Sequence, residues 1–177
     1  MKKLLCFLMV AGIVMDVNAN PENIGLHWQT FQYMDFKVSI QSPYPLIKDA
    51  KRAKNGILWV TAADQSRGIK ITLEGNYEDK TDLKDLPPIF FKILKLGARN
   101  IQNTDFNLKE STESTTCSGF PAIVMQANTI ANQKVLRTKI LVVRRGPEIL
   151  FVQILYPENE ANEKTVDRVI HSVQLIN

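Results

Sequence analysis

Side chains that could carry out chemistry are few and widely spaced in this sequence. The chain has two cysteines, Cys6 and Cys117, and two histidines, His27 and His171. No His-x-x-x-His or Cys-x-x-Cys spacing occurs, so we expect no metal site. A thiol–imidazole pair of Cys117 and His171 would suit a hydrolase, but any chain with one Cys and one His permits that pairing.

Catalytic and cofactor-binding motifs of fixed spacing are also missing from the sequence. There is no Gly-x-Ser-x-Gly elbow, no glycine-rich phosphate loop and no Rossmann fingerprint, so we expect no cofactor. Glycoside hydrolysis needs two positioned carboxylates, and a solvated turn followed by a helix start explains the four acidic candidates better. These candidates are Glu74, Asp79, Asp82 and Asp85. The residues favour a non-enzymatic protein and leave open a small hydrolase that uses Cys117.

The first nineteen residues have the layout of a secretory signal peptide. Residues 1–3 form a short positive start, residues 4–15 an apolar run, and residues 17–19 the modest side chains that a signal peptidase reads. An apolar run of about twelve residues is too short to cross a ~30 Å bilayer core, which disfavours an uncleaved anchor. Cys6 lies near the start of the run, which disfavours a lipoprotein. We predict cleavage after Ala19 and a periplasmic or secreted mature chain.

The composition is that of an ordinary folded domain. The chain has 177 residues, of which 45% are hydrophobic, and this is enough to build a core. The formal net charge of +4 is mild, so we expect no nucleic-acid partner. Once the predicted leader is removed, only Cys117 remains and no intrachain disulfide can form. We predict a signal peptide at residues 1–19 and a single domain at residues 20–177.

Alternating apolar residues predict an antiparallel sheet. Such alternation marks three strands in the first half of the chain and four in the second half. The predicted strands cover residues 36–41, 57–62, 69–74, about 107–113, 120–127, 135–143 and 149–156. Short links between the last three strands predict a meander. The strand at 149–156 is apolar on both faces, so we expect it at the centre of the sheet.

Apolar residues at helical spacing predict two helices. The first includes Pro87-Pro88 in its first turn, where the missing N–H groups would be unpaired anyway, and Gly97 or Asn100 is expected to end it. Its predicted apolar face consists of Ile89, Phe90, Ile93 and Leu94. The second helix lies near the C-terminus, and Asn159 or Asn162 is its predicted cap. Its predicted apolar face consists of Val166, Val169, Ile170 and Val173.

Two features of the sequence could form a binding surface. The first is a basic loop beside an aromatic residue, which could contact an acidic protein, an anionic glycan or phospholipid head groups. Its residues are Tyr44, Lys48, Lys51, Arg52 and Lys54. A solvated loop is the competing interpretation of this charge run. The second feature is an aromatic set, for which packing of the first strands onto the sheet is favoured over a ligand groove. This set consists of Trp28, Phe31, Tyr33 and Tyr44.

Several short motifs resemble those of the PsbP-like superfamily. Residues 36–43 (FKVSIQSP) are similar to its opening strand followed by proline, and residues 119–122 (GFPA) to its Gly-x-Pro-Ala. Residues 146–152 (GPEILFV), the helix after them and residues 172–175 (SVQL) resemble its closing strand, helix and end, with Val173 where the family usually has Phe. The resemblance covers most of the chain after the leader.

The resemblance implies an α+β fold in which an antiparallel sheet of about six to seven strands is flanked by helices as an α/β/α sandwich. The superfamily includes the extrinsic photosystem II protein, a Ran-GTPase-binding factor and many exported bacterial proteins, which act chiefly through partner-binding surfaces. No metal-binding residue of the family has a match here. We therefore expect an exported, non-enzymatic binding or assembly module of the cell envelope that contacts an envelope or secreted protein. Contact with a membrane surface and a role as a secreted effector or inhibitor remain alternatives.

Overall fold

Strands and helices follow one another along the chain largely as the apolar pattern predicts. The computed structural model describes residues 27–44, 51–52, 58–64, 67–78, 81–99, 110–131 and 134–176. The predicted signal peptide lies outside these residues. The elements are β1 (Gln29–Tyr33), β2 (Val38–Ser42), β3 (Lys51–Arg52), β4 (Leu58–Asp64), β5 (Ile69–Glu78), α1 (Leu86–Arg99), β6 (Glu110–Cys117), β7 (Phe120–Ala131), β8 (Lys134–Arg145), β9 (Glu148–Pro157), α2 (Glu160–His171) and β10 (Gln174–Leu175).

Seven of the strands form one antiparallel sheet with the order β3-β4-β5-β9-β8-β7-β6. The strand predicted to be central, β9, lies between β5 and β8 and has three neighbours on either side. Its residues Val152, Ile154 and Tyr156 are fully buried, because the sheet is covered at this position. A second, three-stranded sheet has the order β1-β2-β10. The predicted central position of this strand is confirmed.

The large sheet is covered on both faces. On one face, α2 and the small sheet pack over β4, β5 and β9 in a core that includes Val38, Ile71 and Val169. On the other face, α1 packs over β7 and β8 in a second core that includes Phe90 and Met125. Burial of apolar side chains on both faces is what joins the layers. The predicted α+β sandwich with an antiparallel sheet of six to seven strands is confirmed.

Helix α2 forms where its cap and its apolar spacing predict it. The side chain of Asn159 accepts a hydrogen bond of 2.8 Å from the backbone N–H of Asn162, so Asn159 is the cap. Acidic residues lie in the first turn and basic residues in the last turn, which favours the helix dipole. The residues Val166, Val169 and Ile170 of the predicted apolar face are buried against the sheet. The fourth residue of that face, Val173, is buried just beyond the end of the helix.

Charged contacts also hold α2 against the sheet. The guanidinium of Arg137, on β8, donates hydrogen bonds to the carboxylates of Glu163 and Glu158. The hydroxyl of the buried Tyr156 donates to the other oxygen of Glu163 at 3.1 Å. One turn further along α2, Asp167 pairs with Lys139 of the same strand. The charged side chains of Arg137, Glu163 and Lys139 are each less than a third exposed. These contacts therefore contribute more to stability than ion pairs at the surface do.

Helix α1 has its prolines in the first turn as predicted. Its buried face is rotated about the helix axis relative to the predicted apolar face. The buried residues are Leu86, Pro87, Phe90, Phe91 and Leu94, whereas Ile89 and Ile93 are only half-buried. The rings of Phe90 and Phe91 lie 5.4 Å apart, and both insert into the core. This orientation buries both of the largest apolar side chains at once, which outweighs burial of two isoleucines. Gly97 lies within the helix, which extends to Arg99 beside Asn100.

The observed strands differ from the predicted ones in two places. The segment at 29–33 alternates weakly and was not expected to be a strand, yet β1 pairs with β2 over its full length. The predicted strand at about 107–113 extends further than expected, because β6 covers Glu110–Cys117. Residues 107–109 lie outside the described residues. The polar stretch before Gly119 consists of residues that favour turns. It is a strand because the reversal is confined to Ser118 and Gly119, whose φ angles are 50° and 80°.

Candidate functional site

Strand β6 forms one end of the seven-stranded sheet, and within the described residues no strand pairs with its outer edge. Its first seven residues are exposed, and only Cys117 is buried. The pairing with β7 is continuous from Glu110 to Cys117, without a bulge. An edge strand of this kind presents a row of backbone N–H and C=O groups that can pair with another strand. The outer edge of β6, here called the open edge, is therefore a candidate interaction surface.

The turn between β6 and β7 determines which backbone groups face the open edge. Positive φ angles at both Ser118 and Gly119 are typical of a two-residue type I′ hairpin turn. Such a turn makes Cys117 and its partner on β7 a hydrogen-bonded pair, and these pairs alternate along an antiparallel ladder. It follows that alternate residues direct their N–H and C=O groups away from β7. These residues are Glu110, Thr112, Ser114 and Thr116.

The side chains of β6 provide little protection for the open edge. The strand contains no proline and no lysine, and its sequence is ESTESTTC. The carboxylate of Glu110 is paired with Lys95 of α1 at 2.7 Å. Glu113 has no ion pair within the described residues and is the one remaining charge of the strand. Natural edge strands usually discourage pairing by means of lysine, proline or bulges, so the open edge is permissive for a partner strand.

Cys117 lies at the end of β6 and is a core residue. Its side chain is 7% exposed, and its thiol donates a hydrogen bond of 3.3 Å to the backbone carbonyl of Val173. Burial raises the pKa of the Cys117 thiol, against the opposing effect of a hydrogen bond from Ser118. His171 is exposed on α2, and its Nδ1 lies 2.7 Å from the carbonyl oxygen of Asp167. The thiol contacts a carbonyl rather than an imidazole, which disfavours the thiol–imidazole pair as a catalytic device.

The position of Glu74 differs from the solvated turn that the sequence analysis expected for it. It lies within β5, opposite Phe151 of the central strand β9, and is half-buried. Burial raises the pKa of its carboxyl from 4.5 to about 7, and the charge of Lys70 on the same strand opposes this shift only in part. The sequence identifies Glu74 only by residue type and does not predict its burial, because that burial depends on a strand far away in the chain. Of the other acidic candidates, Asp82 and Asp85 are exposed before α1, and Asp79 lies outside the described residues.

The predicted basic surface is only partly visible in the structure. Lys48 and Lys54 lie outside the described residues. Lys51 and Arg52 form β3, which pairs with β4 at the far end of the sheet from β6. Tyr44 is only 5% exposed and belongs to the core. A role for this segment in binding stays a prediction that depends on the four cations.

The aromatic set packs as the favoured interpretation predicted. Tyr33 and Tyr44 belong to the core, and Trp28 and Phe31 pack against it. The guanidinium carbon of Arg168 on α2 lies 3.9 Å from the centre of a Trp28 ring, which adds a cation–π contact between the small sheet and α2. These rings stabilise the join between the two sheets and α2. In the described part of the chain their contacts are with the core and with α2, which favours packing over a ligand groove.

A small cleft lies at the end of the sheet near the β8–β9 turn. It is bordered by Asp35, Arg145 and Glu148, with apolar side chains between them. Two nitrogens of Arg145, Nε and Nη2, donate to Glu148 at 3.1 and 2.6 Å. Because this pairing and the nearby Asp35 already balance the cation, the cleft has little attraction for an anion. Within the residues that the structure describes, no group of three or more His, Cys, Asp and Glu side chains could hold a metal ion.

Among the described residues, no helix has both the length and the apolar character needed to span a membrane.

Comparison with known proteins supports the fold. No protein-family model matches the chain. No curated protein matches it either. The solution structure of cyanobacterial PsbP (CyanoP) from Synechocystis sp. PCC 6803 is similar, with a TM-score of 0.59 and 15% identity, over 89% of this chain and 98% of that chain.

Two other solved structures show a weaker likeness. One is a crystal structure from Bacteroides thetaiotaomicron VPI-5482, with a TM-score of 0.49 and 10% identity, over 84% of this chain and 48% of that chain. The other is LpqN, described as involved in cell envelope biogenesis of Mycobacterium tuberculosis, with a TM-score of 0.35 and 10% identity, over 92% of this chain and 83% of that chain. Topology, register and the likeness to CyanoP agree that this protein has the PsbP-like fold that its motifs predicted.

Proposed function

We propose that this protein is an exported, non-enzymatic binding or assembly module of the bacterial cell envelope, which acts through protein–protein contacts. The observation that carries the proposal is the open edge of β6, with seven consecutive exposed residues. Backbone groups on such an edge can give affinity to an added strand, and the exposed side chains can give selectivity. The signal-like leader at residues 1–19 supports export.

The state of Cys117 supports a non-enzymatic role. A nucleophilic cysteine needs a lowered thiol pKa and access to substrate. Here burial raises the thiol pKa, and the hydrogen bond to Val173 holds the sulfur inside the core. These observations disfavour the alternative of a small hydrolase that uses Cys117. A secreted effector or inhibitor would use the same binding surface and differ in where the protein acts.

Capture from the native envelope tests the proposal. The full chain with a C-terminal tag is expressed in its own host, and the proteins that co-purify with it are identified by mass spectrometry. In the matched variants, Ser114→Pro removes one outward N–H without removing a hydrogen bond to β7, and Ser114→Thr keeps it. A third variant, Lys51→Ala with Arg52→Ala, tests the basic segment.

The expected result is a set of partners retained by Ser114→Thr and lost with Ser114→Pro. If partners are lost only with the Lys51/Arg52 variant, the binding surface is the basic segment and not the open edge. Capture that is unaffected by every variant, or no capture at all, would overturn the proposal. The same experiment tests export, because the N-terminus of the purified chain should be Asn20 and the protein should be found outside the cytoplasm.

A further inference from the structure

We infer that the open edge of β6 pairs with β6 of a second copy of this chain, antiparallel, about a two-fold axis that passes through Ser114. This choice of partner rests on the proposed function, since it names one occupant of the same edge. The result would be a dimer with one continuous sheet across both copies. Isologous interfaces of this kind are the commonest way in which identical chains associate.

The hydrogen-bond pattern limits the possible registers. A two-fold axis perpendicular to the sheet makes neighbouring strands antiparallel and leaves α1 of both copies on the same side. The residues with outward backbone groups must then pair with one another. With the axis at Ser114, this residue lies opposite itself and Thr112 lies opposite Thr116, so the residues that exchange hydrogen bonds across the axis all have outward groups. Seven residues of β6, from 111 to 117, overlap with the second copy in this register.

Other registers are less favourable for this sequence. An axis at Glu113 places two like charges directly opposite each other, which destabilises a strand pair. An axis at Thr112 or at Thr115 shortens the overlap within β6 to five residues. The axis at Ser114 therefore gives the longest overlap in which Glu113 lies opposite Thr115 and not directly opposite its own copy.

The side chains of β6 are complementary to themselves in this register. On the α1 side, Thr112 of one copy meets Thr116 of the other twice, and two Ser114 hydroxyls meet at the axis. Hydroxyl pairs of this kind stabilise neighbouring strands, and all these side chains are exposed in the single chain. Self-complementarity and the missing edge protection together favour a second copy as the occupant.

The oligomeric state of the purified mature protein tests this inference. Because paired edges bury less area than a standard interface, we expect a weak dimer. Sedimentation velocity between about 5 and 500 μM should show the mass rising from that of the monomer toward twice that value. Ser114→Pro should remain monomeric throughout this range, and Ser114→Thr should associate as the wild type does. Circular dichroism and melting curves confirm that both variants are folded.

A pair of cysteine variants tests the proposed register between the two β6 strands directly. Opposed residues in a hydrogen-bonded antiparallel pair have Cα atoms about 5.5 Å apart, within reach of a disulfide. Ser114→Cys lies opposite itself and should form a disulfide between copies on mild oxidation. Glu113→Cys lies opposite Thr115 and should cross-link at least tenfold more slowly. Native Cys117 is buried and is present in both variants, so it cancels in the comparison.

The outcomes separate this inference from the proposed function. A monomer at all concentrations, a dimer that is unaffected by Ser114→Pro, or equal cross-linking of the two cysteine variants would overturn the inference. If the protein is monomeric and Ser114→Pro still abolishes capture of an envelope protein, the open edge has a different occupant and the proposed function stands. If the protein dimerises as expected and captures nothing else, the inference stands and the proposed role narrows to self-assembly.

Discussion

Replacing Glu74 with glutamine is expected to stabilise the protein at pH 8 and to have little effect near pH 4. Burial raises the pKa of this carboxyl from 4.5 to about 7 in the folded protein. Between these pH values the folded chain keeps a proton that the unfolded chain has released. The contribution of Glu74 to stability is therefore present below about pH 4.5 and is lost as the pH rises to about 7. Glutamine has no charge to desolvate, so it avoids this loss.

The size of the effect follows from the shift in pKa. At about 1.4 kcal/mol for each pH unit between the two values, the ceiling is about 3 kcal/mol. The carboxyl of Glu74 is half-buried rather than enclosed, and water reduces the cost of its charge. We expect Glu74→Gln to raise the free energy of unfolding by about 2 kcal/mol at pH 8 and by less than about 0.5 kcal/mol at pH 4.

Urea unfolding at pH 4, 5.5, 7 and 8 measures this difference. Glu113→Gln is the matched control, because Glu113 is exposed on β6 and should show nearly the same stability as the wild type at each pH. A gain for Glu74→Gln that is equal at pH 4 and pH 8 would point to packing instead of charge. A loss of stability at pH 8 would refute the reasoning, since it would mean that the charged carboxylate is the stabilised form.

Three further predictions concern α2 and Cys117. Arg137→Met removes the contacts to Glu163 and Glu158 and should lower the free energy of unfolding by about 1–2 kcal/mol in urea. Asn159→Ala removes the cap of α2 and should cost about 1 kcal/mol in the same assay. Cys117 should resist alkylation at pH 7 in the folded protein and react completely in urea, as measured by mass spectrometry, because its thiol is buried and hydrogen-bonded.

Each of these predictions has a control within the chain. Lys164 pairs with Glu160 on the exposed side of α2, so Lys164→Met should cost much less than Arg137→Met. Equal costs would contradict the role of Arg137 in holding α2. Asn159→Asp keeps a capping oxygen and should retain most of the stability that Asn159→Ala loses. Rapid alkylation of Cys117 in the folded protein would contradict this prediction and would mean that the thiol is accessible and reactive.

Much of the secondary structure could be predicted from local patterns. The strands at β5, β7, β8 and β9 and the helix α2 follow from periodicity, because an apolar face has to be buried wherever it lies in the fold. The rotated face of α1 could not be predicted, since Ile89 and Phe91 are equally apolar and only the shape of the opposing sheet selects between them. The strand β1 has a weak pattern because most of its residues are exposed.

The candidate site was harder to predict than the fold. The stretch from Ser111 to Thr116 is polar throughout, and hydroxyl residues in sequence favour turns as much as exposed strands. The two-residue turn at Ser118-Gly119 provides the missing signal, since positive φ at both positions returns the chain directly into β7. A pattern of β-branched threonines before that turn could have indicated the strand.

The sequence by itself determined the periodic elements, the mild charge, the lone cysteine beyond the predicted leader and the motifs of a PsbP-like fold. These properties depend on residues close together in the chain. Tertiary structure decided which strand is left at the edge, why Glu74 is half-buried and why the Cys117 thiol is held by Val173, 56 residues away. The reason is that β9 pairs with β5, which lies far away in the chain, so burial and edge position arise from pairing between distant segments.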